Sequence, residues 1–210
     1  MNAPNRGLNH FLAEAKPSAT YKMIDRVAAL RARGQQIISL TAGEPDFDTP
    51  AHVRQAAIQA IEAGKTRYTQ VAGLRELREA VAAKFKRENG LEVTWQQTIV
   101  CSGGKQVLYN ALSATLNVGD EVIIPAPYWV SYPEMVKLAG ATPRVVFAGD
   151  DQGFKVSPSQ IEEVLTPASR MIILNSPSNP TGCLYSKEEM EEIIELACKH
   201  DLLVMSDEIY

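Results

Sequence analysis

The sequence predicts an α/β fold in which a mostly parallel β-sheet is sandwiched by helices. Two observations indicate it. Short, continuously apolar runs recur through the second half of the chain, and such runs are typical of strands buried on both faces. Segments with apolar residues at helical spacing lie between several of these runs, where parallel strands need a crossover connection.

The first predicted elements are a helix and a short strand. Apolar residues repeat at helical spacing from Met23 until Gly34 stops the pattern, and Ser18 or Thr20 supplies the capping hydroxyl. A short apolar run at residues 37–40 then predicts a strand.

Two more helices are predicted before the regular part of the chain. Thr49 followed by Pro50 is a strong helix start, because a capping hydroxyl precedes a proline at the first helical position. Apolar residues then repeat at helical spacing until Gly64. The next amphipathic pattern ends at Asn89 and Gly90, a pair typical of a helix C-terminus.

Strands and helices alternate through the rest of the chain. The predicted strands cover residues 98–101, 121–124, 144–147, 170–174 and 202–205. The predicted helices cover residues 106–116, 133–138, 159–165 and 187–199. This alternation is the pattern of a parallel sheet with helices on its faces.

The composition excludes several classes of function. With 25 acidic and 21 basic residues, interspersed along the chain, the formal net charge is −4, so no nucleic-acid partner is expected. No apolar stretch is long enough to span a membrane, and the N-terminus lacks the apolar core of a secretory signal, so we predict no membrane association and a cytoplasmic location. The 3 cysteines form no C-x-x-C pair and the 3 histidines are scattered, so no metal site is predicted.

The residues that follow each strand are binding candidates, because ligands in an open parallel sheet collect beyond the carboxyl ends of the strands. After residues 98–101, Gly103, Gly104 and Lys105 open directly into a helix. Glycines let the backbone approach an anion, and N–H groups at a helix start point at it. The spacing matches neither the dinucleotide nor the Mg-nucleotide fingerprint, and a tight structural turn explains it equally well.

Three more strand ends carry candidate side chains. Trp129 follows a proline-stiffened turn and can lie against a flat ring, although packing at the rim is the simpler explanation. Asn179 is bracketed by two prolines, which reduce the freedom of its amide. Asp207 ends a buried run and needs a partner, which can be an arginine, a helix N-terminus or a cationic ring nitrogen. Tyr210 adds a phenolic donor.

Together the four strand ends offer an anion cradle, an aromatic plate, a fixed amide donor, and a carboxylate with a phenol. A planar, phosphorylated, oxygen-bearing and basic heterocycle satisfies all of them. Pyridoxal 5′-phosphate (PLP) is such a molecule, and we therefore predict PLP as the cofactor.

Several longer motifs follow one another in order. They read "KPSAT", "AGEPDFDTP", "YTQVAGLRELREA", "SGGKQ", "PAPYWVSYPEM", "NSPSNPTG" and "SDEIY". With these motifs the chain resembles the class I aminotransferases of PLP fold type I, and most closely their bacterial aspartate aminotransferase branch. The resemblance implies residues 1–45 as an N-terminal arm with the first part of the small domain, and residues 46–210 as the N-terminal portion of the large PLP-binding domain.

The resemblance implies a role at the cofactor ring for four residues. Trp129 lies against the pyridine ring, while Asn179 and Tyr210 hydrogen-bond its phenolic oxygen. Asp207 pairs with the protonated ring nitrogen, and this pairing keeps the ring an electron sink when the α-proton of the substrate leaves.

The resemblance also assigns the cofactor phosphate. Gly103, Gly104 and Lys105 begin the helix that receives it. Tyr68 reaches the phosphate of the neighbouring subunit, which implies a homodimer with composite active sites.

For the substrate, the resemblance implies contacts from Gly43, Trp129 and Asn179. Thr20 and Lys105 match positions associated with dicarboxylic substrates, where an ammonium group meets the distal carboxylate. The implied activity transfers an amino group between an acidic amino acid, aspartate or glutamate, and a 2-oxo acid.

The Schiff-base lysine of the family lies downstream of "SDEIY", beyond Tyr210, so no catalytic residue is predicted within the 210 residues. The chain looks like the N-terminal half only, and this fragment alone is expected to be inactive. Two alternatives stay open: a truncated non-catalytic product, and another fold type I PLP enzyme such as a C–S lyase.

Overall fold

A computed structural model of the chain describes residues 11–12, 19–41 and 43–210. It divides into two compact units, one formed by Met23–Val107 and a larger one formed by Met1–Lys22 with Leu108–Tyr210. The predicted domain boundary between residues 45 and 46 falls inside the first of these units, and it stays a prediction.

Between residues 19 and 90 the structure describes three helices, as predicted. They are α1 at Ala19–Ala32, α2 at Ala51–Glu62 and α3 at Arg75–Lys84, which continues into a π-helical turn at Phe85–Asn89. Gly90 ends that turn in the left-handed conformation with φ 68°, which favours glycine.

At two helix starts, a residue stands at another position than predicted. Thr20 is the second residue of α1 and therefore does not cap it, and Ser18, the other candidate, lies outside the described residues. Pro50 precedes α2, which begins at Ala51, so the proline stands one position earlier than predicted.

The predicted strands at residues 37–40 and 98–101 are also wrong, since neither run adopts strand structure. Ile38 and Leu40 are 93% and 94% exposed, so that run has no buried face. In the second run, the carbonyl of Thr98 accepts from Arg78 Nε at 2.8 Å and the N–H of Val100 donates to the carbonyl of Ala72 at 3.0 Å. A side chain and a loop thus satisfy backbone groups that a strand offers to a neighbouring strand.

The four remaining strands form one parallel sheet in the order β2-β1-β3-β4. Their bounds are β1 Glu121–Ala126, β2 Thr142–Phe147, β3 Ser169–Asn175 and β4 Leu203–Asp207. The helices around them are α4 Gly104–Thr115, α5 Tyr132–Leu138, α6 Pro158–Val164 and α7 Lys187–Lys199. The predicted α/β fold with a parallel sheet is confirmed.

The core consists of one apolar cluster on each face of the sheet. In the first cluster, Leu112 of α4 and Val136 of α5 pack with those residues of β1 and β3 whose side chains point to that face of the sheet. The second unites Ile161 of α6 and Ile193 of α7 with residues of the same strands that point the other way. Side chains alternate along a strand, which makes this sheet the middle layer of a helix sandwich.

The strand order creates a switch point between β1 and β3. From β1 the chain runs outward through α5 to β2, and it then returns through α6 to the opposite side of β1 as β3. The loops that leave β1 and β3 therefore diverge and open a crevice at the carboxyl ends of these strands, where α/β sheets bind ligands. Among the described residues, no helix combines the length and apolar character that a membrane crossing requires.

Candidate functional site

Asp207 lies at the carboxyl end of β4, and its partner is a tyrosine. Tyr132 Oη donates to Asp207 Oδ2 at 2.6 Å, and the N–H of Ile209 donates to Asp207 Oδ1 at 3.3 Å. The sequence pattern indicates an arginine or a helix N-terminus as the partner within the protein. A tyrosine takes that place, and as a neutral donor it adds no positive charge beside the carboxylate.

Tyr132 also contacts the tryptophan of the loop after β1. The Trp129 and Tyr132 rings meet edge to face, with centroids 5.4 Å apart and planes at 83°. Such T-shaped pairs are a favoured arrangement of aromatic rings. Tyr132 is therefore the link that joins Trp129 and Asp207, two residues that the sequence predicts at one site.

Asn179 and Tyr210 are in direct contact. Asn179 Nδ2 donates to Tyr210 Oη at 2.6 Å. With its oxygen accepting from the amide, the phenol of Tyr210 keeps its own proton for donation to a further acceptor. The two residues predicted to share one ligand oxygen thus lie side by side.

Asn175 joins the Asn179 loop to the end of β4. Its Oδ1 accepts from the N–H of Asn179 at 2.8 Å, and its Nδ2 donates to the carbonyl of Asp207 at 2.8 Å. Asn175 is also the register partner of Asp207 in the sheet. One amide side chain therefore fixes the donor loop relative to the strand that carries the carboxylate.

The rest of the Asn179 loop is closed by its own hydrogen bonds. The N–H of Ser178 donates to the carbonyl of Cys183 at 3.0 Å, and the N–H of Gly182 donates to the carbonyl of Ser178 at 2.7 Å. Ser176 Oγ accepts from the N–H of Tyr185 at 3.1 Å. The loop is thereby held over the switch point.

A small pocket lies at this switch point, between the ends of β1 and β3. It is lined by backbone and side-chain atoms of both strands and of the loops that follow them, and its residues include Tyr128, Tyr132, Asn175 and Cys183. Cys183 Sγ lies 3.6 Å from the carbonyl of Phe154. The crevice that the strand order predicts is thus present.

The glycine-rich turn lies in the unit Met23–Val107. Gly103 has φ 89°, a left-handed conformation that favours glycine, and its N–H donates to the carbonyl of Cys101 at 3.0 Å. The N–H of Ser102 donates to Gln106 Oε1 at 2.6 Å. Gly104 and Lys105 are then the first two residues of α4, and backbone N–H groups at a helix start are suited to face an anion.

The three remaining predicted site residues are Tyr68, Gly43 and Thr20. Tyr68 and Gly43 are exposed loop residues of the unit Met23–Val107. Thr20 is half-buried in the first turn of α1.

Sequence reasoning missed Tyr132 and Asn175. A signal for Asn175 was available, since it is the first polar residue after an apolar strand and precedes the loop that holds Asn179. Tyr132 lies within the motif "PAPYWVSYPEM", but its partner Asp207 is 75 residues away, and no local pattern indicates that distance.

Comparisons with known proteins agree with this geometry. Residues 35–210 match the family model "Aminotransferase class I and II". An aspartate/prephenate aminotransferase of Cereibacter sphaeroides is 53% identical over 97% of this chain and 51% of its own length. The aspartate/prephenate aminotransferase of Thermus thermophilus is 50% identical over 98% of this chain and 53% of its own length.

Solved structures give the same result. The structure of Thermus thermophilus aspartate aminotransferase with maleate matches with a TM-score of 0.94 at 50% identity, over 98% of this chain and 54% of that one. An aspartate aminotransferase of Rhizobium meliloti gives 0.92 at 40% identity, over 97% and 51%. The chain spans about half the length of these relatives. By sequence and by fold it therefore belongs to the class I and class II aminotransferase family, a family of transferase enzymes.

Proposed function

We propose that the complete protein is a PLP-dependent aminotransferase that moves an amino group between aspartate or glutamate and a 2-oxo acid. The observation that carries the proposal is the convergence of Asp207, Asn179 and Tyr210 at the carboxyl ends of β3 and β4, beside the Trp129–Tyr132 pair. The family membership of the chain supports it independently.

The chemistry of this donor set fits PLP. An anionic carboxylate suits a protonated ring nitrogen, and the amide and phenol of Asn179 and Tyr210 suit the phenolic oxygen as donors. The half-buried indole of Trp129 offers an apolar plate for the ring. When bound, PLP supplies an electron sink for negative charge at the substrate Cα.

Asp207 has the task of holding a proton on the ring nitrogen. Its negative charge favours the protonated ring, and Tyr132 keeps one carboxylate oxygen fixed. Burial, followed by the contact with Asp207, raises the pKa of the Tyr132 phenol well above its usual range. Tyr132 therefore stays a donor and adds no second negative charge to the site.

Asn179 and Tyr210 have the task of donating to the phenolic oxygen. The bond between them sets the direction of the Tyr210 O–H, because the phenol oxygen already accepts from the amide. Asn175 holds the Asn179 backbone in place, so the donors are positioned before a ligand arrives.

For the phosphate and the substrate, the proposal follows the family resemblance. Gly103, Gly104 and Lys105 receive the phosphate at the start of α4 through backbone N–H groups. The side chain of Lys105, together with Thr20, meets the distal carboxylate of the substrate, and Gly43 contacts the substrate as well. Tyr68 is fully exposed, which leaves it available to a second subunit and supports a homodimer with composite sites.

The names of the relatives narrow the choice of substrates. The aminotransferases of Cereibacter sphaeroides and Thermus thermophilus are named for aspartate and prephenate. We therefore propose aspartate as an amino donor, with 2-oxoglutarate and prephenate as the acceptors to test first.

The experiment uses the complete gene product, loaded with PLP. Aspartate and 2-oxoglutarate are supplied and oxaloacetate is measured, with prephenate as a second acceptor. We expect oxaloacetate from the wild type and a loss of at least about 100-fold in kcat/KM for Asp207→Ala, because the ring proton loses its partner. Turnover of aromatic or branched substrates without oxaloacetate would overturn the substrate assignment, and cleavage of a C–S bond would indicate a lyase.

A further inference from the structure

Tyr132 occupies an unusual place between the core and the candidate site. It is only 2% exposed, and it begins α5. Its backbone N–H donates to the carbonyl of Trp129 at 3.1 Å, and its ring meets the Trp129 ring edge to face. Its hydroxyl is the one polar group of this buried side chain, and it donates a hydrogen bond to Asp207.

We infer that Tyr132 is a positioning residue that orients the Asp207 carboxylate toward the ring nitrogen of the bound cofactor. The inference rests on the proposed function and deepens it, because it assigns a role to a residue that the motif reading did not select. Tyr132 is not catalytic in this assignment, since it acts through Asp207.

The geometry gives Tyr132 control over the carboxylate. Asp207 is the last residue of β4, and its side chain can turn about its own bonds. The hydroxyl of Tyr132 holds Oδ2 at 2.6 Å, and the N–H of Ile209 lies 3.3 Å from Oδ1. The tyrosine ring itself packs in the apolar cluster that includes residues of α4 and α5. The core therefore fixes the hydroxyl, and the hydroxyl fixes the orientation of the carboxylate.

The contact is suited to a permanent orienting role. A hydrogen bond to a charged group is among the stronger ones in proteins, and partners that orient a ligand-binding group from behind commonly change ligand affinity when removed. The Tyr132 phenol does not ionise in the working range of an enzyme, because both burial and the neighbouring carboxylate raise its pKa. Ionisation of Tyr132 therefore does not change its hydrogen bond to Asp207 in that pH range.

The test compares two ligands on the complete gene product without its cofactor. One is pyridoxamine 5′-phosphate, and the other is the same molecule with a C–H group in place of the ring nitrogen. The Kd of each is measured by fluorescence titration. The preference for the nitrogen-containing ligand, as the ratio of the two Kd values, isolates the contact with Asp207 from the phosphate and the remaining ring contacts.

For Tyr132→Phe we expect this preference to fall about tenfold, with the Kd of the C–H analogue changed by less than about twofold. In an Asp207→Ala background, Tyr132→Phe is expected to leave the ratio unchanged, because its effect passes through the carboxylate. Tyr132→His, which restores a ring N–H donor, is expected to recover part of the preference.

Tyr185→Phe is the matched control. Tyr185 is a half-buried tyrosine of the same unit, and its hydroxyl accepts from the N–H of Val156 at 2.9 Å instead of contacting Asp207. We expect its preference ratio to equal that of the wild type.

The outcomes separate the inference from the function on which it rests. Equal weakening of both ligands in Tyr132→Phe, or an unchanged ratio, would assign Tyr132 a packing role and overturn the inference alone. A wild-type protein that binds neither ligand would overturn the proposed function, and the inference with it.

Discussion

Glu121 shows how a single charged residue is accommodated at the start of the central strand. The residue is buried, yet its carboxylate accepts from Arg144 Nη2 and, at 2.7 Å, from Thr166 Oγ1. The hydrogen bond from Arg144 lowers the pKa of Glu121 below the ordinary value of a glutamate, with Thr166 acting in the same direction and burial opposing them. Strands β1 and β2 and the loop before β3 thus meet at one side chain.

This arrangement predicts a pH dependence for Glu121→Gln. A carboxylate with a lowered pKa in the folded state stabilises the fold above the unfolded pKa, and it loses this contribution as the pH falls through the folded pKa. The gap in Tm between wild type and variant is therefore expected to be largest near about pH 7 and to narrow below about pH 4.5. Thermal unfolding by circular dichroism measures it.

The control is Glu191→Gln, which alters an exposed carboxylate on α7 paired with Lys187 at 3.6 Å. Exposed pairs of this kind contribute little to stability, so we expect almost no change in Tm. A gap for Glu121→Gln that stays constant across the pH range would contradict the lowered pKa.

At the residue scale, the residues proposed to contact a ligand were predicted from the sequence better than the residues that position them. Asp207, Asn179 and Tyr210 are chemically conspicuous at strand ends, and the fold brings Asn179 and Tyr210 into contact. Tyr132 and Asn175 were missed because a supporting residue is defined by a tertiary contact, and both residues look like ordinary members of a helix start and a strand end.

At the scale of elements, the amide of Asn175 connects the end of β3, the loop after it and the end of β4. We predict that Asn175→Ala raises the hydrogen-exchange rate of the Asn179 amide about tenfold or more, because the acceptor is lost. Asn175→Asp keeps that acceptor and loses only the donor to the carbonyl of Asp207. It is therefore expected to leave the Asn179 amide protected.

Exchange is followed by NMR or mass spectrometry on the complete gene product. The amide of Ser178, bonded within the loop to Cys183, serves as the internal reference and is expected to change little in the aspartate variant. Equal deprotection of Asn179 in both variants would show that the loop does not depend on this hydrogen bond.

Helices and strands differed in how well the sequence indicated them. Helix α7 was predicted with its observed bounds, because spacing and capping are local signals and Ser186 with Glu189 forms a capping box. Residues 37–40 and 98–101 have strand-like composition, but a strand exists only where a neighbour offers its backbone groups. Local composition cannot supply that information.

At the scale of the whole molecule, the two apolar clusters lie on opposite faces of one sheet. Leu112 belongs to one cluster and Ile161 to the other, and both are almost completely buried. We expect Leu112→Ala to lower the free energy of unfolding by about 2–5 kcal/mol and Ile161→Val by about 0.5–1.5 kcal/mol. In the double variant the two losses should add to within about 0.5 kcal/mol.

Urea denaturation of the complete gene product measures these losses, and Leu184→Ala, an exposed position, provides the baseline. A double variant that deviates by much more than the error of the measurement would show that the sheet transmits strain between its faces.

The class of fold was predictable because it depends on the order of helices and strands along the chain. The alternation of continuous apolar runs with segments of helical spacing indicates that order directly. The order of strands in space was not predicted from that pattern, since β1 and β3 become neighbours only through the return of the chain across the sheet.

That return also sets the sequence of events as the polypeptide is made. The inner strand β1 emerges first, followed by β2 and β3, which lie on opposite sides of it, and then by β4. Growth from the N-terminus therefore brings Trp129 early, Asn179 later and Asp207 last. Of these three groups, the aromatic plate and the amide donor are therefore synthesised first, and the acidic group that would face a basic ring is synthesised last.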